Sequence, residues 1–298
     1  MTAADRTAPV PRSYLYVPGD RPEMLAKATA RGADALIVDL EDAVPASGKD
    51  RALELVRTWL TEAVTPGRMP ELWIRVNPGE RGCAESALLA GPAVTGFCLA
   101  KCSGSDDIAA QDAVLTAAEE RHGLAPGALA LAPLLETAAA VLDVRPIAQV
   151  PRVRHLHLGE ADLCAELGID APDAPHGPGG AALTAIRTQV LLASAAAGLL
   201  PPVGPVSTDF TDLDALARGT RALRGLGYRS RACVHPRQLA VVNAVFTPGP
   251  EEVAAAQALL DRFAEAVRAG SGVITGPDGR MVDEAVVRAA RRVLATRR

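Results

Sequence analysis

The chain has 298 residues, of which 49% are hydrophobic, 22% are charged and only 3% are aromatic. This composition suits a large core built from Ala, Val and Leu, and it argues against a disordered chain. The net charge of −4 and the scarcity of aromatic side chains argue against nucleic acid or an anionic membrane as a partner.

The cysteines are scattered along the sequence at Cys83, Cys98, Cys102, Cys164 and Cys233. An odd number without a second close pair favours reduced thiols over a disulfide framework or a zinc site. Residues 1–12 lack the apolar stretch of a signal peptide, and the most apolar segment, 190–206, is interrupted by glycines and prolines. We therefore expect a cytoplasmic protein without a membrane-spanning helix.

Short β-type segments alternate with helical segments along the first 246 residues. The predicted strands lie near residues 13–17, 34–39, 72–76, 96–100, 128–134, 153–158, 202–206 and 230–234. The predicted helices lie near residues 21–31, 46–60, 83–90, 105–121, 137–143, 161–167, 180–198, 211–226 and 236–245. This alternation predicts an α/β protein with a (β/α)₈ TIM barrel over residues 12–246. An open doubly wound sheet is the alternative, although no G-x-G-x-x-G motif follows a strand.

The pattern changes after residue 246, where Thr247-Pro248-Gly249-Pro250 interrupts the chain. A helix is predicted from Glu251 to about Ala269, and a glycine-rich connector follows over residues 270–280. The last helix is predicted to begin near Asp283, and its apolar positions recur at helical spacing and need a surface to pack on. Residues 247–298 therefore form a predicted C-terminal helical extension, which we expect to act as a lid.

Polar side chains follow the predicted strands at the end where a barrel of this kind carries its chemistry. The second strand ends in Asp39-Leu40-Glu41-Asp42, the third in Arg75-Val76-Asn77, and the fourth reaches Lys101. The fifth strand runs into Glu136 and the sixth into Gly159-Glu160-Ala161-Asp162. Two carboxylates with positions open for water and substrate suit a hard cation such as Mg²⁺. Each charge taken singly is equally compatible with a helix cap or a solvated loop.

Several short motifs occur in a fixed order along the chain. They are R-S-x-L-x-V-P-G-x-R-P (12–22), D-L-E-D-A-V (39–44), R-V-N (75–77), E-T-A (136–138), G-x-x-D-L (159–163), V-H-P-x-Q (234–238) and G-R-M-V-D (279–283). In this combination the chain resembles the citrate lyase β-subunit-like family, which includes malyl-CoA and citramalyl-CoA lyases. The resemblance extends from about residue 12 to residue 296.

The resemblance implies a magnesium-dependent lyase, with Mn²⁺ as a possible substitute, that acts on a 3-hydroxyacyl-CoA thioester such as malyl-CoA or citramalyl-CoA. The products would be acetyl-CoA or propionyl-CoA and a 2-oxo acid. By position, Glu136 and Asp162 match the metal ligands, and Arg75 matches an arginine that faces the acyl carbonyl. Asp283 matches an acid/base on a mobile C-terminal segment. Glu41 and Asp42 match acidic residues near the waters of the metal.

Two further expectations follow from the same resemblance. Arg12, Arg21 and Lys27 match a basic N-terminal segment and are expected to bind the phosphates of coenzyme A. The protein is expected to be a homo-oligomer, a trimer or a hexamer, in which the lid covers the barrel mouth of a neighbouring subunit. The short segment 169–180 stands where some malyl-CoA lyases carry a long insertion, so the acyl substrate is left open.

Three alternatives remain at this point. They are the β-subunit of a citrate lyase that acts on a carrier-protein thioester, a malyl-CoA-type thioesterase, and a scaffold subunit without activity. His155 and His157 alternate on the sixth predicted strand and therefore share a face. They could bind a metal, but we expect a packed or hydrogen-bonded pair.

Overall fold

The computed structural model describes residues 10–62, 70–169, 178–276 and 279–296, and it divides into two units at Asn243 and Ala244. In the first unit, eight parallel strands close into a barrel in sequence order, with β8 pairing back to β1. The strands are β1 (Ser13–Pro18), β2 (Ala35–Asp39), β3 (Glu71–Val76), β4 (Gly96–Leu99), β5 (Ala130–Leu135), β6 (His157–Leu158), β7 (Val203–Gly204) and β8 (Ser230–Cys233). The closed barrel confirms the predicted fold.

Helices follow the strands on the outside of the barrel. They are α1 (Pro22–Ala28), α2 (Lys49–Glu62), α3 (Gly79–Leu89), α4 (Ser105–His122), α5 (Ala138–Leu142), α6 (Val144–Ala148), α7 (Glu160–Leu167), α8 (Pro178–Ala196), α9 (Leu213–Leu226) and α10 (Arg237–Phe246). The helix predicted over 137–143 corresponds to α5, and a second short helix, α6, follows it and was not predicted. Pro146 has no N–H to donate to the Leu142 carbonyl, so one continuous helix cannot form through this point.

The sixth strand is shorter than the predicted segment 153–158. Val153 makes a single bridge to Leu131, and the regular ladder begins only at His157. The intervening backbone is still tied on both sides, because the Arg154 N–H donates to the Leu131 carbonyl and the Leu200 N–H donates to the Arg154 carbonyl. The segment is therefore extended but irregular.

The barrel interior combines two large side chains with many small ones. Tyr14 and Trp73 pack in one buried cluster with Ala35, Ile37, Cys98, Ala130, Ala132, Val203 and Ala232. A chain with few aromatic residues therefore fills its barrel by placing small residues opposite the large ones, as layered barrel cores require.

The second unit, from Ala244 onward, contains α11 (Pro250–Arg268), α12 (Glu284–Ala295) and a two-stranded antiparallel hairpin of β9 (Ile274–Thr275) and β10 (Met281–Val282). The hairpin lies in the glycine-rich connector and was not predicted. Phe263, Val282 and Val287 form a small buried cluster. The apolar face of α12 thus finds a surface within its own unit, and packing on a neighbouring subunit stays a prediction.

In the described part of the chain, no helix is both long enough and apolar enough to cross a lipid bilayer. The predicted segment 169–180 falls largely on residues 170–177, which lie outside the described residues.

Gly96 provides a test of the barrel packing. A Cβ at this position would lie 2.3 Å from the Ala130 carbonyl oxygen and 2.7 Å from the Trp73 ring. We expect Gly96→Ala to lower the free energy of unfolding by about 2–4 kcal/mol, because β4 and β5 would have to separate. Gly225→Ala is the matched control, since Gly225 lies in α9 with open space around it. Urea unfolding should show this change to be neutral or stabilising by about 0.5–1 kcal/mol; equal effects of the two changes would contradict the packing.

Candidate active site

A cavity of about 430 Å³ opens at the carboxyl ends of the barrel strands. Its polar lining comes from five different strand ends or the loops that follow them. These side chains are Tyr16, Asp39, Asp42, Arg75, Glu136, His157, Glu160 and Asp162. The closed barrel therefore brings together residues that are up to 146 positions apart in the sequence, from Tyr16 to Asp162.

Arg75 is the cation at the centre of this cavity. Its Nε and Nη2 donate to the two carboxylate oxygens of Asp39 at 2.7 and 2.5 Å, so the guanidinium is held at two points. The guanidinium carbon lies 5.1 Å from the centroid of the Tyr16 ring, over its face. Burial alone would lower the pKa of Arg75, but the hydrogen bonds with Asp39, together with charge interactions with Tyr16, Asp39 and Glu41, outweigh this effect and raise it. Arg75 is therefore permanently charged and fixed in orientation.

Glu41 connects Arg75 with a second base, Lys101. One Glu41 oxygen accepts from the Lys101 ammonium at 2.5 Å, and the other lies 3.1 Å from Nη1 of Arg75. Burial raises the pKa of Glu41, and Lys101 opposes that rise. Glu41 is not among the cavity-lining residues, so its geometry is that of a brace between two cations.

Asp42 lies on the cavity wall, with 53% of its side chain exposed. Burial alone would raise the pKa of Asp42, but hydrogen bonding with Glu41 and the charges of Arg75 and Lys101 lower it. Asp42 is therefore an ionised carboxylate that a ligand in the cavity can reach.

Glu136 and Asp162 are neighbouring carboxyl groups on the wall of the same cavity. The Lys101 N–H donates to Glu136 at 2.5 Å, and Lys101 adopts a left-handed backbone conformation with φ 49° to do so. Burial raises the pKa of Glu136 to about 7; the Lys101 N–H opposes the shift, and Asp162 adds to it. Two acids held together in this way favour either a shared proton or a cation.

The absence of a Cβ at Gly159 makes room for this pair of carboxyl groups. A Cβ on Gly159 would lie 2.6 Å from the Glu136 Cβ and 2.9 Å from its Oε2. Gly159 precedes α7, whose first turn carries Glu160 and Asp162. Glu160 is held by Arg187 through two hydrogen bonds of 2.6 Å, which tie α7 to α8.

The donor set fits a partly hydrated divalent cation. Glu136 and Asp162 supply carboxylate oxygens, which hard cations prefer, and Mg²⁺ keeps several waters when it binds to proteins. Within the described residues, no group of three or more His, Cys, Asp or Glu side chains converges as a complete metal cage. A site with two protein ligands and open positions is therefore the arrangement that these residues allow.

His155 and His157 are buried inside the barrel and joined through their Nε2 atoms at 3.0 Å. This confirms the expected hydrogen-bonded pair.

All five cysteines are free thiols, as predicted, and burial raises the pKa of Cys98, Cys102 and Cys233.

The structure brings together five of the residues predicted for the site. They are Glu41, Asp42, Arg75, Glu136 and Asp162. Asp283 lies in the second unit as the N-cap of α12, where its Oδ1 accepts from the backbone of Ala285 and Val286. Its predicted role as an acid/base stays a prediction.

The basic residues predicted to bind coenzyme A do not lie together. Arg12 precedes β1, and its guanidinium is bound by Asp34, which precedes β2, at 2.7 and 2.9 Å. It therefore lies at the amino end of the barrel, about 20 Å of strand away from the mouth. Arg21 precedes α1 and Lys27 lies in its last turn; both are exposed, about 9 Å apart along the helix. Arg12 thus lies apart from Arg21 and Lys27, and coenzyme A binding by these residues stays a prediction.

Sequence reasoning did not assign a role to Asp39, Tyr16, Lys101 or Arg187. Asp39 ends a predicted strand with the same alternation as Ile37, so it was identifiable as an inward-facing acid. Lys101 was noted at a strand end, but neither its contact with Glu41 nor its left-handed backbone has a local signal in the sequence. Arg187 lies on α8, 27 residues after its partner Glu160, and carries no local signal.

The chain is similar to several known proteins over most of its length. Residues 12–236 match the model of the family described as HpcH/HpaI aldolase/citrate lyase. The chain is 34% identical over 284 residues to a protein from Cereibacter sphaeroides named (3S)-malyl-CoA thioesterase, covering 95% of this chain and 93% of that protein. It is 29% identical over 307 residues to an L-malyl-CoA/beta-methylmalyl-CoA lyase of the same species, covering 94% and 92%.

The solved structure of CitE from Mycobacterium tuberculosis, in complex with magnesium, acetoacetate and coenzyme A, matches the chain with a TM-score of 0.76 at 28% identity. The match covers 97% of this chain and 99% of that one. These matches confirm the resemblance indicated by the motifs.

The carboxyl pair makes a prediction about stability and pH. The pKa of Glu136 rises from 4.5 to about 7 on folding, so its ionised form is less favourable in the folded chain than in the unfolded chain. In chelator, the wild type should therefore lose stability relative to Glu136→Gln as the pH rises from 5 to 8, by about 1–3 kcal/mol. Urea unfolding across this range measures the difference. Exposed Glu120→Gln is the control and should show no such trend; the same trend in both variants would refute the pKa shift.

Proposed function

This chain belongs to the HpcH/HpaI aldolase/citrate lyase family, and we propose that it is a magnesium-dependent lyase of 3-hydroxyacyl-CoA thioesters such as malyl-CoA or citramalyl-CoA. The family is enzymatic, and relatives are named as lyases and as thioesterases of malyl-CoA. The proposed reaction cleaves, or in reverse forms, the carbon–carbon bond between the thioester fragment and a 2-oxo acid. The fragment leaves as acetyl-CoA or propionyl-CoA.

One observation carries this proposal: a buried arginine, fixed at two points by Asp39, lines the same cavity as the adjacent acids Glu136 and Asp162. Cleavage leaves the bonding electrons on the thioester fragment as an enolate, whose oxygen needs a fixed positive charge. Arg75 supplies that charge without reorganising, because Asp39 and Tyr16 already hold it. The arrangement is therefore suited to stabilising a negative charge that develops on a carbonyl oxygen.

Glu136 and Asp162 would hold the metal. A bound Mg²⁺ supplies Lewis-acid polarisation of the hydroxyl oxygen that becomes the carbonyl of the 2-oxo acid. The Lys101 N–H and the space left by Gly159 keep Glu136 in place beside Asp162. The neighbouring relative that was solved with magnesium and coenzyme A supports this choice of cofactor and substrate carrier.

Proton transfer requires two further groups. The substrate hydroxyl must lose a proton, and Asp42, ionised and exposed on the cavity wall, can accept it directly or through one water. Glu41 is a positioning residue in this scheme, since its oxygens bind Lys101 and Arg75. The enolate carbon must then gain a proton, and we assign this step to Asp283.

A malyl-CoA thioesterase is the second candidate function, because the relative at 34% identity carries that name. In that reaction a water oxygen bonds to the thioester carbonyl carbon, the carbon–sulfur bond breaks, and the thiolate leaves as coenzyme A. The transient oxyanion is on the same carbonyl oxygen, so Arg75 would stabilise it equally well. The geometry of the site suits both reactions, so the two functions are distinguished by their products.

Product analysis tests the proposal. The purified protein is incubated with malyl-CoA, citramalyl-CoA and related thioesters in Mg²⁺. The 2-oxo acids released are trapped as hydrazones, and the hydroxy acids, coenzyme A and acyl-CoA products are separated by chromatography. A lyase yields a 2-oxo acid in equal amount to acetyl-CoA or propionyl-CoA, and Arg75→Lys should lower kcat by about 10²–10³-fold while folding is preserved. Release of malate and free coenzyme A without any 2-oxo acid would replace the lyase by the thioesterase. Turnover limited to a carrier-protein thioester would indicate a citrate lyase β-subunit.

Asp283 makes a separate prediction, because its observed contacts are those of a helix cap. Asn and Ser cap helices about as well as Asp but do not transfer protons in this way. Asp283→Asn and Asp283→Ser should therefore unfold like the wild type and lose at least about 10²-fold in kcat. Asp212→Asn is the matched control, since Asp212 caps α9 in the same way. Unchanged kcat in both Asp283 variants would reduce Asp283 to a cap.

The homo-oligomer and its lid stay predictions. Arg21 and Lys27 remain the proposed contacts for coenzyme A phosphates, because both are exposed cations on or beside α1.

A further inference from the structure

Two histidines inside the barrel form a pair that the mechanism above does not use. His155 and His157 are 1% and 3% exposed, and their Nε2 atoms lie 3.0 Å apart. The ring of Tyr14 packs against both, and the Trp73 ring packs edge-on against His155. Burial lowers the pKa of His157 to about 3 and that of His155 well below its usual range. Both rings are therefore neutral at physiological pH.

A hydrogen bond between two neutral imidazoles fixes both tautomers together. One of the two Nε2 atoms must carry the proton and the other must accept it. If His155 donates, the proton of His157 is on Nδ1; if His157 donates, the proton of His155 is on Nδ1. The pair therefore has two coupled states, and each state places one N–H on a different Nδ1.

The surroundings of His155 determine which of these two tautomeric states is favoured. Its Nδ1 is sealed from solvent and has no hydrogen-bond partner. A proton on that atom would be a buried donor without an acceptor, and orphaned donors are rarer than orphaned acceptors in proteins. The state in which His155 donates from Nε2 avoids the orphaned donor, and it places the His157 proton on Nδ1.

His157 is the member of the pair that lines the active-site cavity, together with Arg75 and Glu136. Its Nε2 is engaged with His155, so Nδ1 is the nitrogen that it can offer to a ligand. The Nδ1 atom of His155 is buried without a hydrogen-bond partner, whereas the Nδ1 atom of His157 is not in that situation. A neutral imidazole N–H beside a fixed guanidinium makes a second donor toward an oxygen atom in the same cavity.

We propose that His157 is a further catalytic residue, a neutral donor whose Nδ1–H binds the thioester carbonyl oxygen and strengthens that bond as the oxygen becomes an enolate. This role rests on the proposed function. His155 is a positioning residue, because its Nε2–H holds His157 in the required tautomer. Two donors of different kinds, Arg75 and His157, then stabilise one developing negative charge.

A metal-binding role for His157 is not supported by the geometry. Among the described residues, the acids Glu136 and Asp162 are not joined by a third side chain in a metal-binding group. In the favoured tautomer, moreover, the cavity-facing nitrogen of His157 carries a proton and has no lone pair to give to a metal.

The tautomers can be read directly from the protein with ¹⁵N-labelled histidine by NMR at pH 8, with Mg²⁺ present. We expect His157 to be protonated on Nδ1 and His155 on Nε2. His235 is the internal reference, since its Nδ1 accepts from the Arg237 N–H and its proton must therefore lie on Nε2 when the ring is neutral. A spectrum in which His157 is protonated predominantly on Nε2 would overturn the inference.

Two matched substitutions test the role in catalysis. An Asn amide reaches the position of the imidazole Nδ1, and a Gln amide reaches that of Nε2. His157→Gln should keep the contact with His155 but lower kcat on the order of 10²-fold, because the cavity donor is lost. His157→Asn restores that donor and should lose about tenfold or less, although it breaks the contact with His155. A purely structural role predicts the reverse order, which would overturn the proposal, as would equal losses.

His122→Asn and His122→Gln serve as controls on an exposed helix end and should leave kcat and KM unchanged. Thermal unfolding of each variant shows whether a loss of kcat reflects a loss of folded protein. If the wild type turns over no thioester of the substrate panel, the proposed function and the substrate assigned to His157 both fail. The tautomer assignment is decided by the NMR spectrum alone, so the two failures are distinguishable.

Discussion

At the mouth of this barrel, two positively charged side chains, Arg75 and Lys101, lie among a larger number of acidic side chains. The acids are Asp39, Glu41, Asp42, Glu136 and Asp162. Asp39 binds Arg75 at two points, and Glu41 contacts both Arg75 and Lys101. Among these contacts, the carboxyl pair Glu136 and Asp162 therefore has no side-chain cation of its own. Neighbouring carboxyl groups repel one another unless a proton or a cation lies between them. The pair therefore favours a shared proton or a cation that Arg75 and Lys101 do not supply.

The closed barrel is what makes this excess of acid possible. The acids lie at or after the ends of three strands, β2, β5 and β6, and the carboxyl ends of parallel strands meet at one rim of the barrel. Small local features then set the spacing. Gly159 allows the loop after β6 to pass close to Glu136, and the left-handed Lys101 turns its N–H toward the same carboxylate. The geometry of the carboxyl pair thus depends on a few backbone positions.

Much of this arrangement could be predicted from the amino-acid sequence. Strands and helices alternate regularly enough along the sequence to identify the barrel. The polar residues at the strand ends identify its mouth, because all parallel strands of a barrel end on the same side. Features set by longer-range contacts could not be predicted in this way. The sixth strand is irregular, Pro146 divides a helix, and a hairpin occupies the connector after α11. Arg12 and Arg21 belong to one contiguous motif, yet the length of β1 separates the two.

Binding of a divalent cation is the claim on which the proposed chemistry depends, and titration of the chelator-treated protein with Mn²⁺, followed by electron paramagnetic resonance, measures it most directly. The account predicts one site per chain, displaced by Mg²⁺, with affinity lowered at least about tenfold in Glu136→Gln and in Asp162→Asn. The exposed variant Glu120→Gln should bind as the wild type does. Wild-type affinity in both Glu136→Gln and Asp162→Asn, or no binding by the wild type, would contradict the account.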